Sequence, residues 1–251
     1  TDKVSWNTDF TLSLYRDRWE ERDPTWKPYA YQSAKDPIRA LFPYRSDGLL
    51  AAGEKAPAWQ PALLPGQIKI KNLKDEEGSE NILNQYDRQF IGTSDPSFNF
   101  GFNNVVRYKN FDLNIYFYGE IGRWRGASYY NNWVAGYSGK NVQNMSKGTL
   151  NSWFHDNRNT SQPSAIESTY FAYDNNSDYW YRKVSYVRCR NITLGYTIPV
   201  PKKILNSIRV YADVNNPFVI TNWNGVDPET DNGSYAYPNV TSFSFGIDIS
   251  F

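Results

Sequence analysis

Apolar and polar residues alternate through the last eleven positions of the chain, residues 241–251. The even-numbered positions carry serine, glycine and aspartate, and the odd-numbered positions carry Thr241, Phe243, Phe245, Ile247, Ile249 and Phe251. A β-strand places successive side chains on opposite faces, so this pattern predicts a strand with one apolar and one polar face. A strand of about ten residues that closes on an aromatic residue is typical of an outer-membrane β-barrel.

Further segments show the same two-residue period, which predicts further strands. They cover residues 4–15, 98–108, 111–118, 184–198 and 208–219. Residues 38–49 form a weaker candidate that a proline interrupts. No segment predicts a helix longer than a short turn. The periodicity therefore predicts an all-β, antiparallel fold.

The lengths of the connections between these strands are informative. The connections after residues 108 and 198 are short, whereas residues 123–180 and 221–239 form longer excursions. Outer-membrane barrels have short periplasmic turns and long extracellular loops. Placing the long connections at one end therefore favours a barrel over a soluble β fold.

Composition agrees with this interpretation and excludes several others. The mean hydropathy is −0.68 and no run of about 18 apolar residues occurs, which excludes a bundle of transmembrane helices. Aromatic residues make up 17% of the chain, which suits either barrel girdles or sugar-binding surfaces. The net charge of +1 gives no indication of a nucleic-acid partner.

Candidate catalytic residues are few. One cysteine, Cys189, and one histidine, His155, are too few for zinc, haem or Cys–His chemistry. The Asp227/Glu229 pair is weak evidence for acid–base chemistry without a nucleophile, and Asp227-Pro228 is better interpreted as a turn. We therefore expect no enzyme, no cofactor and no metal centre. The chain opens without an initiator Met or a signal peptide, so we expect a fragment of a longer protein.

A series of short motifs resembles the SusC/RagA-type TonB-dependent transporters. Residues 186–196, Y-V-R-C-R-N-I-T-L-G-Y, resemble the family segment L-R-x-x-N-[IV]-T-L-G-Y, and residues 225–229, G-V-D-P-E, match its G-x-D-P-E loop. The remaining matches are P-G-Q-I-K (65–69), I-G-T-S-D-P (91–96), F-G-F-N-N (100–104), Y-K-N-F-D (108–112), L-N-S-I-R-V-Y (205–211), N-N-P-F (215–218) and the closing strand (237–251). They follow the family's order and spacing over most of the chain.

The resemblance implies that residues 1–251 are the C-terminal strands of a 22-stranded antiparallel transmembrane barrel with long extracellular loops. The plug and the TonB-contact region would then be absent from this chain. The implied function is import of oligosaccharide or peptide cargo across the outer membrane of a Gram-negative bacterium. The implied partners are a SusD-like surface lipoprotein, outer-membrane lipid, and the TonB complex through the missing N-terminal part. The alternative is a soluble or secreted carbohydrate-binding β-sandwich.

Aromatic residues of the longest excursion are candidate contacts for cargo or for the lipoprotein. With one histidine, they are Trp124, Tyr129, Tyr130, Trp133, Trp153, His155, Tyr179 and Trp180. Aromatic rings stack on sugars and on peptide side chains. The alternative is that many of them are membrane-interface residues or pack within the loop.

The closing strand has a second implied role. Outer-membrane proteins are commonly recognised for assembly through a C-terminal aromatic strand, which assigns this role to Phe243, Phe245, Ile247, Ile249 and Phe251.

The alternation also places Arg188 and Arg190 with Ile192 and Leu194. Because charge on a lipid-facing surface is costly, we expect the two arginines at the extracellular rim.

A remnant of a calcium loop is the weakest candidate site. Many relatives carry an Asp/Asn-rich D-x-N-G-D-G stretch between the P-G-x-I and I-G motifs. The corresponding segment here retains Asp75, Glu76 and Glu77 but places Lys74 within the ligand run. Calcium needs several oxygen ligands, which a lysine does not supply. A solvated acidic loop is therefore the favoured interpretation.

Overall fold

The structure is a computed structural model that describes residues 4–74, 80–126, 147–166, 168–201, 206–230 and 237–251. Its strands and its short helix are β1 (Val4–Ser13), β2 (Ala40–Leu41), β3 (Ser46–Leu49), β4 (Ile68–Ile70), β5 (Gly92–Thr93), β6 (Phe98–Tyr108), β7 (Phe111–Gly126), α1 (Phe171–Asn175), β8 (Tyr181–Ile198), β9 (Ser207–Thr221) and β10 (Ser242–Ser250). No helix in the described segments has the length and hydropathy needed to cross a membrane.

The main element is a six-stranded antiparallel sheet in the order β1-β6-β7-β8-β9-β10. Its register collects the apolar positions of all six strands on one side. One continuous set of cross-strand partners is Trp6, Val106, Leu113, Leu194, Ala212 and Phe245. The sequence-based prediction of an all-β antiparallel fold is therefore confirmed.

The two sides of the sheet differ in chemistry, and we name them by it. The apolar face carries Trp6, Phe10, Leu12, Phe100, Phe102, Val106, Leu113, Ile115, Phe117, Ile192, Leu194, Val210, Val214, Phe243, Phe245, Ile247 and Ile249. The polar face carries Asn99, Asn103, Arg107, Asp112, Asn114, Tyr118, Asn191, Thr193, Arg209, Asp213 and Asp248. Each strand contributes to both faces because successive side chains point in opposite directions.

The apolar face remains uncovered. Phe245 is 82% exposed and Phe243 is 70% exposed, and Trp6 on the opposite edge strand is 72% exposed. In a β-sandwich these side chains would face a second sheet and form the core. Within the described residues no such layer covers them, which is the arrangement of a barrel wall rather than a sandwich.

The strands match the predicted ones closely, with one large difference. β6 has the predicted bounds, and β7 starts as predicted at Phe111 but continues to Gly126, eight residues beyond the predicted end at Tyr118. The weak candidate at residues 38–49 forms two short strands, β2 and β3, outside the main sheet. The long excursion that follows β7 therefore begins later than the pattern indicates.

The described parts of the long connections fold together into a second unit, which we call the loop layer (residues 14–74, 80–97, 147–166 and 168–180). Its two small sheets pair β2 with β5 and β3 with β4. Its core consists of Tyr44, Ile68, Ile70, Leu83 and Trp180. Because this core draws on both connections, they hold each other in place. The layer lies at the end of the sheet opposite the short turns.

Candidate functional site

A β-bulge in β8 sets the direction of its arginine side chains. β8 carries one residue more than β7 at Arg190, between the cross-strand pairs Tyr116–Asn191 and Phe117–Cys189. An extra residue reverses the alternation beyond it, so Arg188 lies on the polar face. The prediction that Arg188 and Arg190 share a face with Ile192 and Leu194 is therefore wrong. It assumed strict alternation through a strand that is locally irregular.

Arg188 is buried against two carboxylates of the connection between β9 and β10. Its Nη2 donates to both oxygens of Asp227 at 2.8 Å, and its Nε donates to Glu229 at 2.9 Å. The side chains of Arg188 and Asp227 are 3% and 4% exposed, and Arg190 forms a second ion pair with Glu229. Buried charges persist only when they are paired and hydrogen-bonded, as here. We call these four residues the clasp.

Backbone and amide groups orient the carboxylates of the clasp. Asp227 accepts the backbone N–H of Glu229 at 2.8 Å and that of Asn239 at 3.1 Å, and the Asn239 amide donates to Glu229 at 2.9 Å. Burial raises the pKa of Asp227, but these hydrogen bonds and Arg188 outweigh it, so its pKa lies below the usual value. Asp227 is therefore held as a carboxylate.

A second arginine anchors the same connection. The Arg125 guanidinium donates to the carbonyls of Pro228 and Thr230 and lies 5.2 Å from the ring centroid of Trp223. The predicted turn at Asp227-Pro228 is present, because Asp227 accepts the N–H two residues later. The ion pair with Arg188 was not predicted. It joins the R-x-x-N and G-x-D-P-E motifs across about 40 residues of sequence.

Nearer the short turns, another ion-pair network crosses the polar face. Arg209 donates to Asp112 at 3.0 and 2.7 Å and to Asp248 at 3.0 Å. Gly195 lies between Asp112 and Arg209, where a Cβ atom would contact both side chains. The absence of a side chain at Gly195 therefore lets one arginine reach carboxylates on β7 and β10.

Amide and hydroxyl groups continue this polar surface between the two charged networks. Asp213 accepts from Thr193 at 2.7 Å and from Asn215 at 2.6 Å, and Asn191 also donates to it. Such a surface offers donors and acceptors to water or to a polar solute. Among the described residues, no group of three or more metal-ligating side chains occurs.

Those aromatic candidates of the longest excursion that the structure describes lie in separate places. Trp180 is 2% exposed and belongs to the core of the loop layer, with the Tyr179 ring 5.3 Å away. Trp153 packs against the backbone of Gly66, whose φ of 82° belongs to the left-handed region. The His155 side chain is 85% exposed, and its Nδ1 lies 2.9 Å from the carboxylate of its neighbour Asp156. Packing within the layer thus accounts for Trp153 and Trp180.

Trp124 lies apart from these residues, near the end of β7 and opposite Lys183. Its ring covers Gly92 and lines a cleft at the edge of the apolar face. Six other residues of the predicted sites lie outside the described residues, namely Tyr129, Tyr130, Trp133, Asp75, Glu76 and Glu77.

The closing strand has the predicted geometry. Phe243, Phe245, Ile247 and Ile249 pair with apolar residues of β9 and stay exposed on the apolar face. Phe251 follows β10 and is 83% exposed, and its backbone carbonyl accepts a hydrogen bond from Asn206. The strand therefore forms one edge of the sheet. Its role in assembly stays a prediction.

Comparison with known proteins gives consistent matches. The chain is 32% identical over 188 residues to TonB-dependent receptor P3 of Formosa agariphila, a match that covers 66% of this chain and 17% of that receptor. It is 29% identical over 190 residues to TonB-dependent receptor SusC of Bacteroides thetaiotaomicron, covering 72% of this chain and 18% of SusC. The chain thus spans less than a fifth of the length of these curated relatives. No protein-family profile matches it.

Structural comparison identifies the fold. The solved structure of the RagAB peptide transporter aligns with a TM-score of 0.74 and 20% sequence identity, covering all of this chain and 28% of that one. The six-stranded sheet is therefore the wall of an outer-membrane-type β-barrel. With the motifs and the sequence matches, the chain belongs to the SusC/RagA-type TonB-dependent receptors.

Proposed function

We propose that this chain is the C-terminal part of the barrel of a TonB-dependent importer in the outer membrane of a Gram-negative bacterium. Residues 1–251 then supply six neighbouring strands of the wall. The apolar face contacts lipid, the polar face lines the lumen, and the loop layer lies outside the cell. The plug and the TonB-contact region belong to another part of the same protein.

The cargo class that we propose is an oligosaccharide or a peptide. A SusD-like surface lipoprotein acts with the barrel in its uptake. The RagAB structure is named as that of a peptide transporter, which supports the peptide class by analogy, and the family resemblance implies both classes. The polar face supports transport rather than chemistry, because its side chains offer hydrogen bonds and fixed charges without a nucleophile–base pair.

One observation carries the proposal: a single sheet whose apolar face is continuous over six strands and uncovered. Soluble monomers rarely expose a contiguous apolar patch of this extent. A lipid bilayer removes the cost of that exposure, and closure of the sheet in the parent barrel would satisfy the edges at β1 and β10.

The test is isolation of the native parent protein from the outer-membrane fraction of its host in mild detergent, followed by mass spectrometry. We expect a chain on the order of 1,000 residues, as a plugged barrel of this size requires, with a co-purifying lipoprotein. Uptake of labelled oligosaccharide and labelled peptide by cells lacking the gene then identifies the cargo class. A parent protein found only in soluble fractions would overturn the proposal.

A further inference from the structure

The geometry points to a basic cleft at the edge of the apolar face that binds phosphate groups of a lipid headgroup. This inference rests on the proposed function, because it requires the apolar face to contact lipid. The cleft has a volume of about 280 Å³ and lies between the ends of β1, β5, β7 and β8. The residues that carry the argument are Arg16, Arg18, Lys183, Tyr15, Phe90 and Trp124.

The cleft opens on the lipid side of the sheet rather than on the lumen side. Lys183 lies four residues from Val187 in β8 and therefore on the same face of the sheet. Val187 is the cross-strand partner of Ile220, whose side chain is 66% exposed on the apolar face. Arg16 lies three residues beyond the end of β1 and lines the same cleft as Lys183. Lys183 therefore continues the apolar face toward the loop layer, with Arg16 beside it in the cleft.

The height of the cleft matches the level of the headgroups. Apolar positions of β7 run from Phe111 to Ile121, about 33 Å along the strand, which at the usual tilt spans roughly 25 Å of membrane. That is the height of the apolar band of outer-membrane barrels. Trp124 lies about 7 Å above this band, where aromatic rings and cations meet the interface.

Two carboxylates of the cleft offset only part of the positive charge of its three cations. Arg16 donates to the carbonyls of Tyr15 and Ser97, and Arg18 donates to the carbonyl of Lys35. In the part of the chain that the structure describes, Arg16, Arg18 and Lys183 form no ion pair within 4.0 Å. Two carboxylates, Asp17 and Asp95, also line the cleft, and Asp95 is paired with Arg39 at 3.1 Å.

A phosphorylated glycolipid has the chemistry that such a site recognises. Its phosphates would contact the three cations, and its sugar or acyl groups would contact the rings of Trp124, Tyr15 and Phe90. A free anion in solution has the same charge but no acyl chain on the apolar face. The lipid is the occupant that we infer, because the cleft is continuous with that face.

The experiment uses the delipidated full-length parent protein and native mass spectrometry. The probes are phosphorylated lipid A, the same lipid A after enzymatic dephosphorylation, and inorganic phosphate as a competitor. The test variant is Arg16→Gln/Lys183→Gln. The control is Lys27→Gln/Lys55→Gln, which makes the same change in net charge at exposed loop positions that do not line the cleft.

We expect the test variant to bind phosphorylated lipid A about 30-fold more weakly than the wild type, with the control within about twofold. Dephosphorylated lipid A should bind the wild type as weakly as the variant binds the phosphorylated form. Equal binding by the test variant and the control would overturn the inference. Displacement of the lipid by inorganic phosphate at equal concentration would also overturn it, in favour of a soluble anion.

Cells that express the wild type or the test variant separate this inference from the proposed function. We expect the test variant to reach the outer membrane and to import cargo at the wild-type rate, so that lost lipid binding does not reflect misfolding. A wild-type protein absent from the outer membrane would overturn the proposed function. A wild-type protein that is present and imports cargo, but binds both forms of lipid A equally, would overturn only the inference.

Discussion

The two faces of the sheet are built from the same six strands but are stabilised in different ways. The apolar face consists of side chains that mostly contact cross-strand neighbours and are otherwise exposed, as at Phe243 and Phe245. The polar face holds directed contacts, in which Arg188 and Arg209 each bridge two carboxylates. The apolar face thus depends on its surroundings, whereas the polar face depends on particular partners.

Breaking the clasp is expected to have the largest destabilising effect, and this effect falls on the polar face. Arg188→Leu leaves Asp227 buried without its counter-ion, and removing one partner of a buried pair costs about 3–5 kcal/mol. We expect the β9–β10 connection to detach and to become sensitive to chymotrypsin, which cleaves after aromatic residues such as Trp223, in the full-length protein. The control is Arg18→Leu, an arginine without an ion pair among the described residues, which should leave this connection resistant.

A charge on the apolar face is the next most damaging change. Ile115→Lys places an ammonium on that face, at a cost of roughly 2–4 kcal/mol near the bilayer centre. Its neighbour Asn114 points to the polar face, so Asn114→Lys is the matched control. Urea titration of the parent barrel in lipid vesicles measures the difference. Equal destabilisation by the two lysines would mean that the faces are wrongly assigned.

The close approach at Gly195 gives a smaller effect, limited to the polar face. A Cβ at this position meets both Asp112 and Arg209, so we expect Gly195→Ala to cost about 1–3 kcal/mol through overpacking. Gly126→Ala is the control, since a Cβ there makes only an ordinary contact of 3.5 Å with Tyr181. Thermal unfolding of the parent protein compares the two. A larger effect at Gly126 would contradict the packing described here.

Acid should weaken the clasp by a modest amount. The pKa of Asp227 lies below its usual value near 3.8, so its contribution to stability is complete above that value and is lost as the pH falls through the lower, folded-state pKa. We expect faster pepsin cleavage within residues 222–230 and 237–241 below about pH 3.8. At each pH the cleavage rate of the wild type is compared with that of Asp227→Asn, which has no ionisable group at this position. The ratio of the wild-type rate to the variant rate should therefore rise as the pH falls.

The strands and their apolar positions could be predicted from the sequence, because alternation is a local property. Phe98–Tyr108 and the closing strand Ser242–Ser250 follow directly from it. The face of Arg188 could not, because the bulge at Arg190 leaves the sequence pattern unbroken while it shifts the side chains. The extension of β7 to Gly126 was missed because its last residues, including two arginines, lose the alternation.

The clasp itself was only partly predictable. Asp227-Pro228 has turn chemistry that the sequence reveals, but its ion partner lies 39 residues away on a strand. Both motifs were visible through the family resemblance, and only the register brings them together. In the same way, the sequence made Trp180 a candidate contact for cargo or lipoprotein, with packing within the loop as the alternative, and tertiary packing places it in a core with Ile68 and Leu83. Single-residue patterns do not encode such long-range contacts.

The central claim is that the apolar face contacts lipid and the polar face contacts water. The most direct test is spin labelling of single cysteines at each position of Ser242–Ser250 in the full-length protein, in a Cys189→Ser background and a lipid bilayer. We expect oxygen accessibility to peak at Phe243, Phe245, Ile247 and Ile249, and accessibility to a water-soluble nickel complex to peak at the positions between them. Low accessibility to both reagents at the four apolar positions would indicate a protein core and would contradict the claim.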